Sequence, residues 1–396
     1  MKNIKGVINI ALRPENSPLS LRACGFFSTD NRSLINGLLQ TELIQTIANQ
    51  IFSDIENPPN LLMMARFSSI LVSCFALFPE KTAEWCNFLD KFLPYCSLHP
   101  VLNLFASIVT IKEDDGKLIQ FLFQSGIIPL AISKIRDLPD KIEKDGDVVF
   151  SIGMFRLMRV LALREEVCQV LRQPENIQVL IKNYQVERVD LLFSQWSLYL
   201  ILCNQSSLPF MTNLIATAIL NLRSQTPVFY RYQALCLEFL AQALSLSSRL
   251  ADNFVEFNIG ELTKTIFLRF PNHSNAHFKV FNLIQQCLNH PQLCSQVLSE
   301  IIPFASHQII ERSNVILSIF CWHMLHQIEC VNEEAHNAIQ NIPDETKEQM
   351  RRIDEATTRD FGGEVPKMEN QDIAGGAPEL SPDELLSLFR EFTMRR

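Results

Sequence analysis

Apolar residues recur at helical spacing along most of the chain. Leu34, Leu38, Ile44, Ile47 and Ile51 mark one early face, and Leu283, Ile284, Leu288 and Leu293 mark a late one. Alternating, strand-like patterns are almost absent. Prolines punctuate the pattern at Pro58, Pro59, Pro79, Pro100, Pro129, Pro139, Pro174, Pro209, Pro227, Pro271, Pro291 and Pro303. Because proline cannot continue a helix by hydrogen bonding, this spacing predicts many short antiparallel helices of roughly three to five turns. Stretches 195–203 and 315–325 are apolar nearly all round, which suits helices covered on both sides by neighbours. Units of two or three helices recur at about 40 residues without a crisp consensus. The expected fold is all-α, an α-solenoid of stacked armadillo/HEAT-like repeats.

The character changes near Asp344. The stretch KEQMRRIDEATTRDFGGEVPKMENQDIAGGAPEL is polar, charged and interrupted by Gly362, Gly363, Gly375, Gly376 and Pro378, which reads as a fading helix followed by a flexible linker. The final segment, SPDELLSLFREFTMRR, opens with Ser381 as an N-cap, Pro382 at the first helical position and Glu384 completing a capping box. Its apolar face is Leu385, Leu388, Phe389 and Phe392. Such a tethered amphipathic helix suits either a groove on a partner or a cap on its own solenoid.

Composition narrows the function classes. With 47% hydrophobic residues in 396, the chain can fill a large core, and 12 Gly against 28 Phe starves Gly-rich loops. A net charge of −8 repels phosphate backbones and anionic headgroups, so neither nucleic acid nor a membrane surface is an expected partner. The 11 cysteines include no C-x-x-C pair, and Cys74, Cys236 and Cys321 lie in apolar helical runs. This is the usage of a reducing compartment, and the expected location is the cytoplasm, with or without the nucleus. The amino terminus lacks a long apolar run with a cleavage site, so the N-x-S triplets at Asn31, Asn204 and Asn272 carry no glycosylation expectation. The best candidate membrane span, 61–78, is interrupted by Arg66, Ser68, Ser69 and Ser73, and no insertion is expected.

Catalytic constellations are sparse. Neither G-x-x-x-x-G-K-[ST] nor G-x-G-x-x-G occurs. His273 and His277 stand four apart, and His323 and His326 stand three apart near Cys321 and Cys330, so either pair could face one metal. The competing reading has His273 and Ser274 capping a helix, His277 at its groove edge, and His323 and His326 flanking a buried Trp322. Glu113, Asp114 and Asp115 precede Gly116 in a turn-like context that suits a solvated loop. Basic residues are scattered or paired at helix ends, as Arg351 and Arg352 are, and read as solvated faces. The expectation is a non-enzyme without cofactor or metal.

Three ordered blocks go beyond generic helices. The first, 19–75, carries Cys24, Asn31 and Leu34, then Pro58, Pro59, Leu62, Phe67 and Ser68. The second is TPVFYRYQALCLEFLAQAL with Arg231, and the third is FLRFPNHSNAHFKVFNLIQQCL with Pro271, His277 and Val280. Together they resemble the SAPS-domain family, regulatory subunits of type 6 serine/threonine protein phosphatases. The resemblance spans roughly 19–341. It departs from the family pattern at His273 and Ser274 (an Asn-Asn pair in the family), at Ala276 (a Leu) and at Ser69 (a Lys), which marks a divergent member.

The resemblance implies an α-solenoid that binds a phosphatase catalytic subunit, and further scaffold proteins, and positions substrates by tethering. The expected organisation is an N-terminal extension at 1–18, a helical-repeat domain at 19–343, the polar segment at 344–380 and the amphipathic helix at 381–396. Candidate partner-binding residues are Pro58, Pro59, Phe67, Ser68, Arg231, Pro271, His277, Leu385, Phe389 and Phe392. Four of these, Pro58, Phe67, Pro271 and His277, read equally as loop-forming prolines, a core aromatic and a satisfied histidine. The fold class alone also fits a general armadillo-like adaptor unrelated to phosphatases.

Overall fold

The computed structural model describes residues 2–28, 31–40, 42–53, 59–111, 116–139, 142, 144–182 and 188–358. Pro58, the 113–115 acidic cluster, the linker and the 381–396 segment with Leu385, Phe389 and Phe392 lie outside the described residues. By internal contacts the chain divides into 1–346 and 347–396. Every regular element among the described residues is helical, and the first unit is an α-solenoid.

Two rows of helices build it. In the first row Leu61–Leu77, His99–Thr110, Asp145–Leu161, Val189–Leu202, Arg231–Leu246, Ser274–Leu288 and Val315–Glu329 each pack on the next. The last six start at residues 99, 145, 189, 231, 274 and 315, so one repeat occupies 41 to 46 residues. The second row runs Ile127–Arg136, Pro174–Leu180, Leu208–Met211 with Asn213–Arg223, Ile259–Arg269, Pro291–Glu311 and Glu333–Gln340. Contacts link neighbours in sequence, as in a quasi-one-dimensional stack.

Local chemistry explains the breaks. Pro79, Pro100, Pro174, Pro209 and Pro291 sit in the first turn of their helices, where the missing N–H costs nothing. Asparagines do most of the side-chain capping. Asn31, Asn60, Asn314 and Asn332 accept from backbone N–H groups of Leu34, Leu62, Leu317 and Ala335 at 2.8–3.1 Å. Pro303 departs from its expected role as a break and lies inside the 21-residue helix Pro291–Glu311. That helix buries Leu293, Val297, Ile301, Ile302, Ala305 and Ile309 along one face, which outweighs the roughly 3 kcal/mol of an interior proline.

Middle helices of the first row are enclosed on several sides. Val189–Leu202 buries Leu191, Trp196, Leu198, Tyr199 and Leu202 together with Ser194, Gln195 and Ser197. The two serines fit because they donate back to the Asp190 and Phe193 carbonyls at 2.8 and 2.6 Å. Val315–Glu329, the last of the row among the described residues, leaves Val315, Ile316 and Ile319 about half exposed or more. Gly153 brings two elements together: a Cβ there would stand 2.6 Å from the Ser97 nitrogen and 2.8 Å from the Cys96 carbonyl carbon.

The expected N-terminal extension is instead part of this unit. Lys2–Ala11 packs on Pro18–Ser28 and fully buries Ile8 and Ala11. Several basic residues are likewise not solvated-face residues but clamps on the carbonyl ends of neighbouring helices. Arg66 reaches the carbonyls of Ala11, Arg13 and Glu15, at 3.4, 2.7 and 3.2 Å. Arg172 reaches Ile201 and Leu202, and Arg269 reaches Leu222, Ser224 and Thr226. Arg223 reaches Phe257 at 2.6 Å and Arg164 reaches Ile111 at 3.4 Å. A guanidinium fork both satisfies the orphan carbonyls of a helix end and complements its negative pole.

Among the described residues no single helix is long and apolar enough to cross a membrane; the bent pair Lys117–Gln124 and Ile127–Arg136 passes only by length and composition taken together. Leu118, Leu122, Ile127, Ile128, Ala131 and Ile135 of that pair are buried within the fold.

Candidate functional site

The outer face of the first row holds a hollow of about 390 Å³ that crosses three successive repeats. Leu200 from Val189–Leu202 stands at one side, Glu238, Ala241, Gln242 and Ser245 from Arg231–Leu246 form the middle, and Lys279, Asn282, Gln285 and Gln286 from Ser274–Leu288 form the other side. These positions are left by the core. In Arg231–Leu246 the buried set is Tyr232, Cys236, Leu237, Phe239, Leu240, Ala243 and Leu244, so the 238, 241, 242 and 245 stripe faces outward.

The hollow mixes the apolar surface of Leu200, Ala241 and the side-chain stems with uncharged polar groups, and its one acidic and one basic side chain leave it close to neutral. Glu238 and Lys279 form an ion pair between the two helices, both partly shielded from solvent. Gln242 donates from Nε2 to the Cys203 carbonyl at 2.8 Å, which fixes its side chain along the seam. Ser245 donates to the Gln242 carbonyl at 2.8 Å. A second hollow of about 480 Å³ lies beyond the carboxyl ends of Val189–Leu202 and Arg231–Leu246, between Gln205, Pro209 and Thr212 and the 246–250 turn with Arg249.

The residues expected to bind a partner are scattered. Pro59 precedes the Asn60 cap, Arg231 is the exposed first residue of its helix, and Pro271 lies in the turn closed by the His273 N–H to the Phe270 carbonyl at 3.0 Å. All three mark amino ends of first-row helices, in three separate repeats, and no hydrogen bond or ion pair joins them. Phe67 and Ser68 are fully buried. Phe67 packs against both Phe88 and Phe92, with each centroid 5.9 Å from its own, and Ser68 donates to the Met64 carbonyl at 2.8 Å. These two therefore present no surface to a partner.

His277 is corrected in the same way. It is fully buried, not at a groove edge, with its ring 5.5 Å from Phe267 and 5.0 Å from Phe320. Nε2 donates to the Phe270 carbonyl at 2.9 Å, and Nδ1 is enclosed without a hydrogen-bond partner. Burial pushes its pKa below the ordinary histidine value, with the Phe270 hydrogen bond opposing and His273 reinforcing the shift. The unfolded chain takes up the proton first as pH falls, so His277 supports the fold fully above about pH 6.5 and loses that support as pH drops towards its folded pKa. We expect the melting temperature to fall between about pH 7 and 5.5, and His277→Gln to flatten that slope. Identical slopes in parent and variant, measured by thermal melts across this window, would remove His277 as the cause.

His273 caps Ser274–Leu288, with Nδ1 accepting from the Ala276 N–H at 3.1 Å. His323 is exposed and His326 packs edge-on against a half-buried Trp322, with centroids 5.2 Å apart. Among the described residues no three or more His, Cys, Asp or Glu side chains gather as a metal site would require. All the cysteines are free thiols, and Cys330 is the exposed one. Burial pushes Cys74 and Cys321 up to about 12 and Cys203 to about 11, so none of these three is a thiolate at neutral pH.

The outer-face residues escaped the sequence reading, although a signal existed. Glu238, Gln242 and Ser245 recur 44 residues later as Asn282, Gln286 and Asn289, and again 41 later as His323, Gln327 and Cys330. A polar stripe repeating with the fold period on otherwise apolar helices marks the face that the stack leaves open.

No family model matches this chain, and no curated protein matches it. Solved structures that match include the crystal structure of an engineered protein, at a TM-score of 0.42 and 8% identity over 89% of this chain and 99% of that one.

Proposed function

We propose that this chain is a non-catalytic scaffold that holds protein partners against the outer face of its first helical row, with the catalytic subunit of a type 6 protein phosphatase as the first partner. The observation that supports a scaffold is the hollow spanning three consecutive repeats, since a surface assembled from several repeats distributes contacts as protein interfaces do. The phosphatase rests on the resemblance in the 19–75, 226–244 and 267–288 blocks. The scaffold would act by tethering, which raises local concentration without new chemistry.

The test is direct binding of purified full-length chain to a purified type 6 catalytic subunit at low salt. A Kd below about 1 µM is expected. Absence of binding at about 10 µM would reject the phosphatase. Enrichment of coat or motor proteins in affinity capture, without a phosphatase, would favour the general adaptor.

A further inference from the structure

We infer that Thr226 is a phosphorylation site for a proline-directed serine/threonine kinase, and that Arg269 receives the phosphate. Residues 224–230 form an irregular loop between Asn213–Arg223 and Arg231–Leu246, with Gln225, Pro227 and Val228 exposed and Thr226 half-buried. Pro227 steers Thr226 towards extended backbone and presents no N–H of its own. An enzyme pocket that lacks an acceptor at that position admits proline and rejects residues whose N–H would be left unpaired.

The hydroxyl is available for reaction. Thr226 Oγ1 makes only a 3.5 Å contact with Gln233 Oε1, and that oxygen already accepts from the Tyr230 N–H at 2.9 Å. Ser-Pro pairs also occur at Ser17 and Ser381. The Ser17 hydroxyl is engaged by Ser20, whose N–H and hydroxyl both stand 3.2 Å away, and Ser381 lies outside the described residues.

Charge decides what a phosphate meets here. No Asp or Glu occurs between Asp190 and Glu238, although the chain carries −8 overall. Arg223 and Arg231 flank the loop, and Arg269 donates to the Ser224 and Thr226 carbonyls at 2.7 and 3.3 Å. None of these three arginines is in an ion pair among the described residues. A phosphate on Oγ1 adds about two negative charges beside a guanidinium that already touches the same residue. Arg269 also donates to the Leu222 carbonyl at 3.3 Å, so the new pair ties the loop and the end of Asn213–Arg223 more firmly to Ile259–Arg269.

The step is a phosphoryl transfer from ATP. The bond between the γ-phosphorus and the β–γ bridging oxygen breaks, a P–O bond forms at Thr226 Oγ1, ADP leaves, and the hydroxyl proton passes to a carboxylate of the kinase.

In the test, the folded full chain is incubated with Mg-ATP and each of two purified proline-directed kinases, then cut with trypsin, which releases 224–231 as one peptide. Fragment-ion spectra are expected to place the phosphate on Thr226, and Thr226→Ala to abolish it without changing any signal at Ser17 or Ser381. The phosphorylated chain is expected to melt about 1–3 °C above the unmodified one, a gain lost in Arg269→Gln. If circular dichroism shows Arg269→Gln unfolded, Arg269→Lys takes its place and is expected to keep less than about half of the gain. No phosphate on Thr226 with either kinase, or its appearance only after thermal unfolding, would overturn the site. No shift on phosphorylation, or an equal shift in parent and Arg269 variant, would overturn the role of Arg269.

Discussion

Arg66→Met is expected to destabilise the amino-terminal end of the solenoid by about 3 kcal/mol. The side chain is 5% exposed, and its guanidinium donates to three carbonyls at the end of Lys2–Ala11 and in the turn that follows, with Asn16 Oδ1 at 3.4 Å. Methionine keeps most of the stem but leaves those carbonyls without their charged donor, and hydrogen bonds to a charged group contribute about 1.5–3 kcal/mol. The loss is expected to be local, since a stack couples only neighbours: backbone amides of Lys2–Ala11 and Pro18–Ser28 exchange faster while the repeats after His99–Thr110 stay protected. Arg66→Lys is expected to recover part of the stability, because one ammonium replaces a fork. Unchanged hydrogen exchange in the first two helices of Arg66→Met would refute the clamp.

Phe67→Ala is expected to cost about 3–5 kcal/mol, the largest single effect. The ring has no exposed surface and sits in an aromatic cluster with Phe88 and Phe92, to which Phe52 adds an edge contact on Phe92 at 5.4 Å. Phe88 precedes and Phe92 belongs to the 3-10 helix Leu89–Tyr95, which carries Pro94 and lies between the first two helices of the row. Removing Phe67 therefore leaves a cavity and also loosens the joint between repeats. Phe67→Leu is expected to cost roughly 1–2 kcal/mol, as partial refilling allows. Chemical denaturation of the three proteins orders them directly. Partner binding by Phe67→Ala, measured at a temperature where it is folded, should match the parent; weaker binding by folded protein would return Phe67 to the list of contact residues.

The family-like positions make the limits of sequence reading concrete. Asn31, His273, Phe67 and Ser68 stand out as local signatures, and each has a structural role in the fold: two caps, a core ring and a back-bonded hydroxyl. A sequence block cannot separate a residue retained for capping or packing from one retained for a partner, because both produce a fixed side chain at a fixed helical position. The outer-face amides are the converse. Asn282, Gln285 and Gln286 look ordinary in a linear reading, since polar residues on a helix are the default for solvent. They become a candidate site only when Glu238, Gln242 and Leu200 arrive beside them from helices more than 30 residues earlier.

Helical periodicity, proline starts and asparagine caps act within one or two turns, so the all-α class, the repeat length and most helix boundaries were written locally in the chain. The surroundings of each polar group were not. Arg66 reads as an interruption of an apolar run, His277 as a groove-edge residue and Pro303 as a break, yet the first caps a helix 55 residues away, the second is buried among Phe267 and Phe320, and the third rides inside a helix. The physical reason is range. Backbone preferences are settled by neighbours along the chain, whereas the cost of burying a charge, an imidazole or a proline depends on which distant side chains and carbonyls close around it.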